Sequence, residues 1–456
     1  FNPGKIVDTP PMDTGLRFAA GQDTPEIATL LDFSENQGYI RSAELCNGSG
    51  DCRKSELSGG TMCPSYMATR NEKDTTRARA NILREMLTKA DGALSFSHPQ
   101  IREVMDLCLS CKGCKSECPS NVDMAKLKAE WNYQSYKAKG VPLRTRMIGH
   151  FTLAMKLASK MPWAYRFVFD HRLTASVAKR IAGFATQRSM PDISSVTLTR
   201  WIKKQFRPTT TNEDRSIYFF VDEFTNFNDG EIGKKALLLL DKLGYDIRFV
   251  PHAESGRTYL SKGLLDQALD VCRKNVNLFY PIVSEQVPLV GIEPSTILTF
   301  RDEYIDMLRG EEKEMARKVA KNTLTIEEFL AREMDKGNIS SSQFVTTPRK
   351  IKVHGHCHQK ALSSLTPTKK ILKLPANYDV QMIPSGCCGM AGSFGYEKEH
   401  FDVSMQIGEL VLFPTIRQQS EDVLIAAAGT SCRHQIKDGT GRRALHPVEI
   451  LVEALA

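Results

Sequence analysis

The sequence contains no run approaching the roughly 18–20 consecutive apolar residues that a membrane-crossing helix needs. It opens FNPGKIVD, with no initiator Met and no basic stretch followed by an apolar one. That start does not read as a secretory signal, and a fragment or processed chain is expected. Neither sign of charge dominates: 61 Lys and Arg face 53 Asp and Glu, for a net +8 over 456 residues. The mild excess suits an acidic partner or an anionic membrane surface without demanding either. Basic residues are dispersed, and no aromatic-interleaved basic patch is present, which argues against nucleic acid as a partner. With 25% charged and 41% hydrophobic residues, the chain has the composition of a soluble globular protein with two or three cores.

Cysteine is abundant, and it is unevenly spread. Of 12 cysteines, seven fall between Cys46 and Cys118, four of them within Cys108–Cys118. Four of the remaining five sit in or beside Gly/His-rich turns, and Cys272 stands alone in a helical stretch and reads as core. Dense short-range runs in a large chain without a secretory signal read as metal ligands in a reducing compartment, the cytoplasm by default.

The expected fold is α+β and multidomain: an all-α, ferredoxin-like helical domain followed by two repeated α/β units. Residues 1–30, rich in Pro, Gly and Thr, read as an extended arm, and 31–206 as helical. Apolar residues recur at three- and four-residue spacing in 77–87 and 100–109, bounded by Gly92 and by His98-Pro99. Further helices are expected over 124–138, 143–160 and 172–187. Residues 207–215 have linker composition. Beyond them an internal repeat appears: Tyr245-Asp246 with Pro251 and Gly256 recurs 133 residues later as Tyr378-Asp379 with Pro384 and Gly389. The same offset pairs the strands 216–221 and 349–354, and VGIEPST at 290–296 corresponds to IAAAGTSC at 425–432 within a few residues. Units are therefore expected at 216–310 and 350–456. The charged helical connector 311–349 lies between them, with Thr325 and Glu328 placed as a capping box.

Cys108, Cys111, Cys114 and Cys118-Pro119 form C-x2-C-x2-C-x3-C-P. Three thiolates at that spacing wrap one cubane, and the fourth ligates the other cluster of a pair. Cys63-Pro64 is the donor expected in return, giving one [4Fe–4S] cluster on Cys63, Cys108, Cys111 and Cys114. Zinc knuckles pair C-x2-C steps and do not run three of them into C-P. The second run is incomplete, because Ser49 stands between Cys46 and Cys52 where a middle Cys would fall. With Cys118 it offers three thiolates. Either a [3Fe–4S] cluster, the preferred reading, or a [4Fe–4S] cluster completed by Ser49, Asp51 or water fits. The C-x5-C spacing resembles the three-iron site of succinate dehydrogenase iron–sulfur subunits. Ten residues separate Cys52 from Cys63, so that loop is expected to bulge outwards.

Cys357, Cys387, Cys388 and Cys432 each follow a predicted strand, the edge at which open α/β sheets place ligands. Four thiols converging there favour a soft metal or a cluster, the alternative being buried structural thiols. The first copy carries Phe224, Glu254, Ser255 and Thr296 at these places and is expected to hold no metal, with Glu254 a solvated charge. His354, His356, His358 and His434 flank the cysteines and read as hydrogen-bonding neighbours of the ligands.

The double-cysteine motif GCCGMAGSFG with its four-cysteine set resembles the CCG domain of heterodisulfide reductases and glycolate oxidase iron–sulfur subunits. MCPSYMATR, SKGLLDQA, GIEPS, HGHCHQKAL, GCCGMAGSFGYE and SCRHQI resemble the C-terminal half of fused FAD-linked dehydrogenases acting on D-lactate or D-2-hydroxyglutarate, over nearly the whole chain. The opening NPGKI resembles the closing motif of their FAD-binding domain. This resemblance implies an upstream FAD-binding domain as partner, which takes hydride from a 2-hydroxy acid. The present chain would then carry electrons singly to a quinone or cytochrome. No residue here would be catalytic. A disulfide reductase acting through the CCG centre and a zinc-stabilised scaffold are the alternatives. Residues 147–169, where Met, Trp, Phe and Lys mingle, read either as a helix closing the ferredoxin-like domain or as a surface for peripheral contact at the inner face of a membrane.

Overall fold

The structure, a computed structural model, describes residues 3–14, 21, 23–88 and 96–456. Gly92 and part of the 1–30 arm lie outside the described residues. From 31 to 206 the described regular elements are helices, which agrees with the expected mixture of helix and sheet. Thr76–Thr88 buries Ala80, Leu83 and Leu87 on one face, at the spacing of an amphipathic helix. Met124–Lys139 is N-capped by the Asp123 carboxylate, which accepts from the Lys126 N–H. The stretch expected as one helix over 143–160 is two, Leu143–Gly149 and Phe151–Ala158, meeting at His150. Arg172–Ala182 stops short of the expected 187 because Gly183 takes a left-handed conformation (φ 73°) and closes the helix.

Two four-stranded parallel sheets follow. The first joins β1 (Ser216–Phe219), β2 (Asp246–Arg248), β3 (Leu289–Gly291) and β4 (Thr323–Thr325) in the order β2-β1-β3-β4. The second joins β5 (Arg349–His354), β6 (Tyr378–Met382), β7 (Leu424–Ala427) and β8 (Ala444–Leu445) in the order β6-β5-β7-β8. The two orders are identical. The central pairs differ in register by one residue: Ser216 lies beside Asp246, whereas the corresponding Asp379 lies beside Lys350 and Arg349 beside Tyr378. The first sheet draws its edge strand β4 from within 311–349, the stretch read from sequence as a connector. The expected capping box is present: Thr325 Oγ1 accepts from the Glu328 N–H and the Glu328 carboxylate accepts from the Thr325 N–H.

The helical part is bolted to the second sheet unit by Phe184–Arg188. Phe184 bridges to Glu397, and the fully buried Arg188 donates to Gly395 O at 2.9 Å and pairs with Asp438 at 3.2 Å. Among the described residues no helix is long and apolar enough to cross a membrane.

Candidate iron–sulfur and metal centres

Each cysteine run sits on irregular backbone that helices hold in place. Cys63 precedes the helix Pro64–Thr69 and itself takes φ 58°, while Ser110 and Lys112, flanking Cys111, take φ 52° and 62°. Left-handed backbone at non-glycine residues is costly and persists only where surrounding structure enforces it. Alternating it with right-handed residues turns successive N–H groups towards one centre, a pattern suited to holding an anionic group. Thr76 N–H donates to Cys63 Sγ at 3.0 Å, Met124 N–H to Cys114 Sγ at 3.3 Å, and Gly389 N–H to Cys387 Sγ at 3.3 Å.

The structure brings the expected cysteines together. Cys108, Cys111 and Cys114 interact with one another, and Cys114 with Cys63. Cys46 interacts with Cys52 and Cys118. Cys52 also reaches Cys63, so the two sets adjoin. Ser49 and Asp51 are exposed on the loop between Cys46 and Cys52. The loop between Cys52 and Cys63 does bulge, with Leu57 90% exposed, but its far end is tied back where Glu117 accepts from the Thr61 and Met62 N–H groups at 2.6 and 3.1 Å.

At the second sheet, Cys357 opens the helix Cys357–Leu362 directly after β5, and Cys432 lies in the first turn of Thr430–Thr440 directly after β7. Both positions lie at helix N-termini, where the backbone dipoles favour a thiolate. Cys387 and Cys388 occupy the loop after β6, and Gly389 that follows takes φ 94°. A Cβ on Gly389 would stand 2.2 Å from Ser404 O, so no other residue fits there. Cys387 interacts with Cys357 and Cys388, and Cys388 with Cys432, and all four are buried.

His354 separates itself from the other histidines. Its Nδ1 meets Ser385 Oγ at 2.7 Å, while its buried Nε2 has no hydrogen-bond partner. One ring nitrogen and the sulfurs of Cys388 and Cys432 lie within 4.8 Å of one another. A buried ring nitrogen facing the Cys388 sulfur beside a second thiol is a donor set that a soft metal could use. Sequence reading placed His354 among the neighbours, and its position as the last residue of β5 was the one signal available. His358 instead approaches Ser110 O at 3.3 Å, His356 accepts from the His358 N–H, and His434 is held by Ser189 and Tyr396.

The surroundings fit metal-bound thiolates. Burial pushes the Cys114 thiol up to about 12 and Cys111 well above the ordinary thiol range. Without a cation such thiols would stay protonated. Cations stand nearby: the half-buried Lys128 donates through Nζ to Cys108 O at 2.6 Å, and the buried Arg79 donates to Val104 O at 2.8 Å and interacts electrostatically with Cys63. Lys360 Nζ donates to Ser385 O and Gly386 O at 2.5 and 2.8 Å among the C-terminal thiols, and burial lowers its pKa. Lys112 is buried and paired with Asp302 and Glu303.

In the first sheet unit, Ser255 and Thr296 are buried, and Ser255 donates to Glu223 at 2.6 Å. Glu254 is not the solvated charge expected. It is half-buried and accepts from Thr152 and Tyr259, because the helical part covers this edge. Glu293 of this unit accepts from the Thr430 N–H at 2.8 Å, so the first copy meets the second beside Cys432. Cys272 is fully buried in the main core, as expected.

The two cysteine regions touch. Cys111 lies in one buried cluster with Cys357, Cys387 and Leu109, near enough to Cys357 for the two sulfurs to influence each other electrostatically.

Comparison with known proteins agrees with this arrangement. A 4Fe-4S dicluster domain matches residues 45–123. The chain is 25% identical to D-2-hydroxyglutarate dehydrogenase of Pantoea ananatis, over 91% of this chain and 44% of that protein. It is 26% identical to a subunit of the anaerobic glycerol-3-phosphate dehydrogenase of Escherichia coli, over 59% of this chain and 66% of that one. Against the glycolate oxidase iron–sulfur subunit of Escherichia coli the identity is 21%, over 86% and 91%. The chain thus spans about half the length of the D-2-hydroxyglutarate dehydrogenases it matches. It carries a 4Fe–4S dicluster domain and is homologous to D-2-hydroxyglutarate dehydrogenases, to a subunit of anaerobic glycerol-3-phosphate dehydrogenase and to glycolate oxidase iron–sulfur subunits, all of them oxidoreductases.

Proposed function

We propose that the chain is the electron-carrying part of an FAD-linked 2-hydroxy-acid dehydrogenase of the D-lactate, D-2-hydroxyglutarate or glycolate type, passing electrons singly from an FAD-binding domain to a quinone or cytochrome. The observation that carries this reading is the single buried cluster shared by Cys111, Cys357 and Cys387, which sets the ferredoxin-like cysteines beside the C-terminal set.

Cys63, Cys108, Cys111 and Cys114 would hold a [4Fe–4S] cluster. Cys46, Cys52 and Cys118 would hold a second cluster, of the [3Fe–4S] kind. Cys357, Cys387, Cys388 and Cys432, with His354, would hold a third metal or cluster. Bound clusters supply one-electron transfer and make or break no substrate bond. The chain's own residues do the rest. Leu109, Phe394 and Ile407 keep water from the junction between Cys111 and Cys387. Arg79, Lys128 and Lys360 set positive charge beside the thiolates, which favours the reduced, more negative state.

Burial favours relay over thiol–disulfide reduction. A substrate disulfide must reach sulfur, and Cys357, Cys387, Cys388 and Cys432 are at most 6% exposed. Iron and acid-labile sulfide analysis of anaerobically prepared protein tests the reading, together with electron paramagnetic resonance before and after dithionite. An oxidised three-iron signal alongside a reduced four-iron signal is expected. Zinc with little iron or sulfide overturns the relay in favour of a scaffold, and steady disulfide turnover overturns it in favour of a reductase.

A further inference from the structure

Between 143 and 182 four successive helices each leave a row of apolar side chains in the open. Leu143 and Met147 lie on Leu143–Gly149, Leu153 and Leu157 on Phe151–Ala158, and Trp163 and Phe167 on Pro162–Asp170. Leu173, Val177 and Ile181 lie on Arg172–Ala182. Every row runs at i, i+4 spacing, one side of each helix. Trp163 is 70% exposed, and Leu173 and Ile181 are 84% exposed.

These rows are not the inner faces of the same helices. Phe151 packs on Phe224 with ring centroids 5.2 Å apart, Met155 packs with Ile193 and Phe227, and Ala175 is buried. Closing the helical domain therefore uses Phe151, Met155, Tyr165 and Ala175. It leaves the outer rows unexplained, and unpartnered apolar faces of this extent mark interaction sites.

The charge of the segment selects the occupant. Residues 143–182 hold eight Lys and Arg and one acidic residue, Asp170, a net +7 of the chain's +8. Arg144 pairs with Glu397 and Glu399, and Arg166 with Asp192. Arg146, Lys156, Lys160, Arg172 and Arg180 are exposed, and no ion pair engages them among the described residues. A second copy would bring the same positive charge against itself. An anionic bilayer complements both features, taking the apolar rows below the headgroups and the basic side chains at them. Trp163 is the residue type that favours that boundary.

We infer that the outer face of the helices between Leu143 and Ala182 docks flat on an anionic lipid surface, apolar rows inserted and Arg146, Lys156, Lys160, Arg172 and Arg180 on the headgroups. This inference stands whatever metals the cysteines hold. It is tested with the whole protein and sedimented vesicles of phosphatidylcholine, with and without phosphatidylglycerol. Binding to the mixed vesicles is expected, weakened at roughly 0.5 M salt, with a blue shift of Trp163 fluorescence. Each charge reversal among Lys156→Glu, Lys160→Glu and Arg172→Glu should lower partition roughly fivefold. The triple variant Trp163→Ser/Phe167→Ser/Ile181→Ser should lower it roughly tenfold or more, with iron content and circular dichroism kept. No binding to mixed vesicles, or binding that charge reversal leaves unchanged, overturns the inference. So does self-association in ultracentrifugation that the triple variant abolishes, which would assign the face to a second copy.

Discussion

Gly386 presses on Gly60: a Cβ at Gly386 would stand 2.7 Å from the Gly60 carbonyl oxygen. The loop carrying the double cysteine thus rests on the bulged loop between Cys52 and Cys63, backbone to backbone. Gly386→Ala should part them, costing about 1–3 kcal/mol, as overpacking does. Thermal unfolding and iron content check this, and loss of metal from the C-terminal cysteines ahead of the dicluster region is the expected pattern.

His354 and the histidines around it predict different phenotypes. His354→Ala removes the nitrogen beside Cys388 and Cys432 and should lower metal affinity at the C-terminal set about 10–100-fold. His434→Gln, held by Ser189 and Tyr396, should leave metal content unchanged. Competition with a chelator, followed by metal analysis, separates them.

Cys272→Ala is the matching control. The thiol lies in the apolar core and donates weakly to Tyr304 O at 3.8 Å. Its loss should cost about 1 kcal/mol in stability and no iron, whereas Cys114→Ser should remove a cluster's iron. Equal iron loss in both would contradict the assignment of Cys272 to the core.

Glu223 predicts a pH dependence. Burial, opposed by the hydrogen bonds from Ser255, raises its carboxyl to about 7. A folded-state value above the unfolded one means that the protonated form stabilises the fold. That stability is complete below about 4.3, the ordinary Glu value, and is lost as pH rises through about 7. Glu223→Gln should match wild type in urea unfolding at low pH and exceed it at pH above about 7, flattening the profile. An unchanged slope would show that Glu223 is not the titrating group.

Lys112 and Asp302 predict a large loss. Side-chain exposures of 3% and 5% leave neither partner access to water. Lys112→Met leaves Asp302 to Lys115 and Glu303 to Arg257, so one buried cation leaves a network that is only partly refilled. It should cost about 3 kcal/mol, the low end for breaking a buried pair. Asp302→Asn leaves Glu303 to hold the lysine at 2.8 Å and should cost less. Urea unfolding orders the two.

What the sequence disclosed follows from how each signal is written. Thiolate chemistry fixes ligand spacing along the chain, so Cys108–Cys118 could be read directly, and the 133-residue repeat announced two like units, which prove to share one strand order. β4 was hidden because Thr323–Thr325 is three residues between two helices and has no period of its own. The ligand-like place of His354 depends on Cys388 and Cys432, 34 and 78 residues away in sequence, and local pattern does not carry such distances. The outer rows of 143–182 share their i, i+4 pattern with the inner ones, and only packing tells one face from the other.

The left-handed backbone on either side of Cys111, which packs in one buried cluster with Cys357 and Phe394, bears on assembly. Seating the second sheet unit on the helical part helps to bury Cys111 to 8% exposure, so a group held there would be enclosed as the two parts meet. Loading such a group before closure, while the later-made segment is still free, would avoid having to part the two. A centre damaged by oxygen afterwards would be mended only by reopening the seam, and the lifetime of the working chain would be set by how rarely that seam opens.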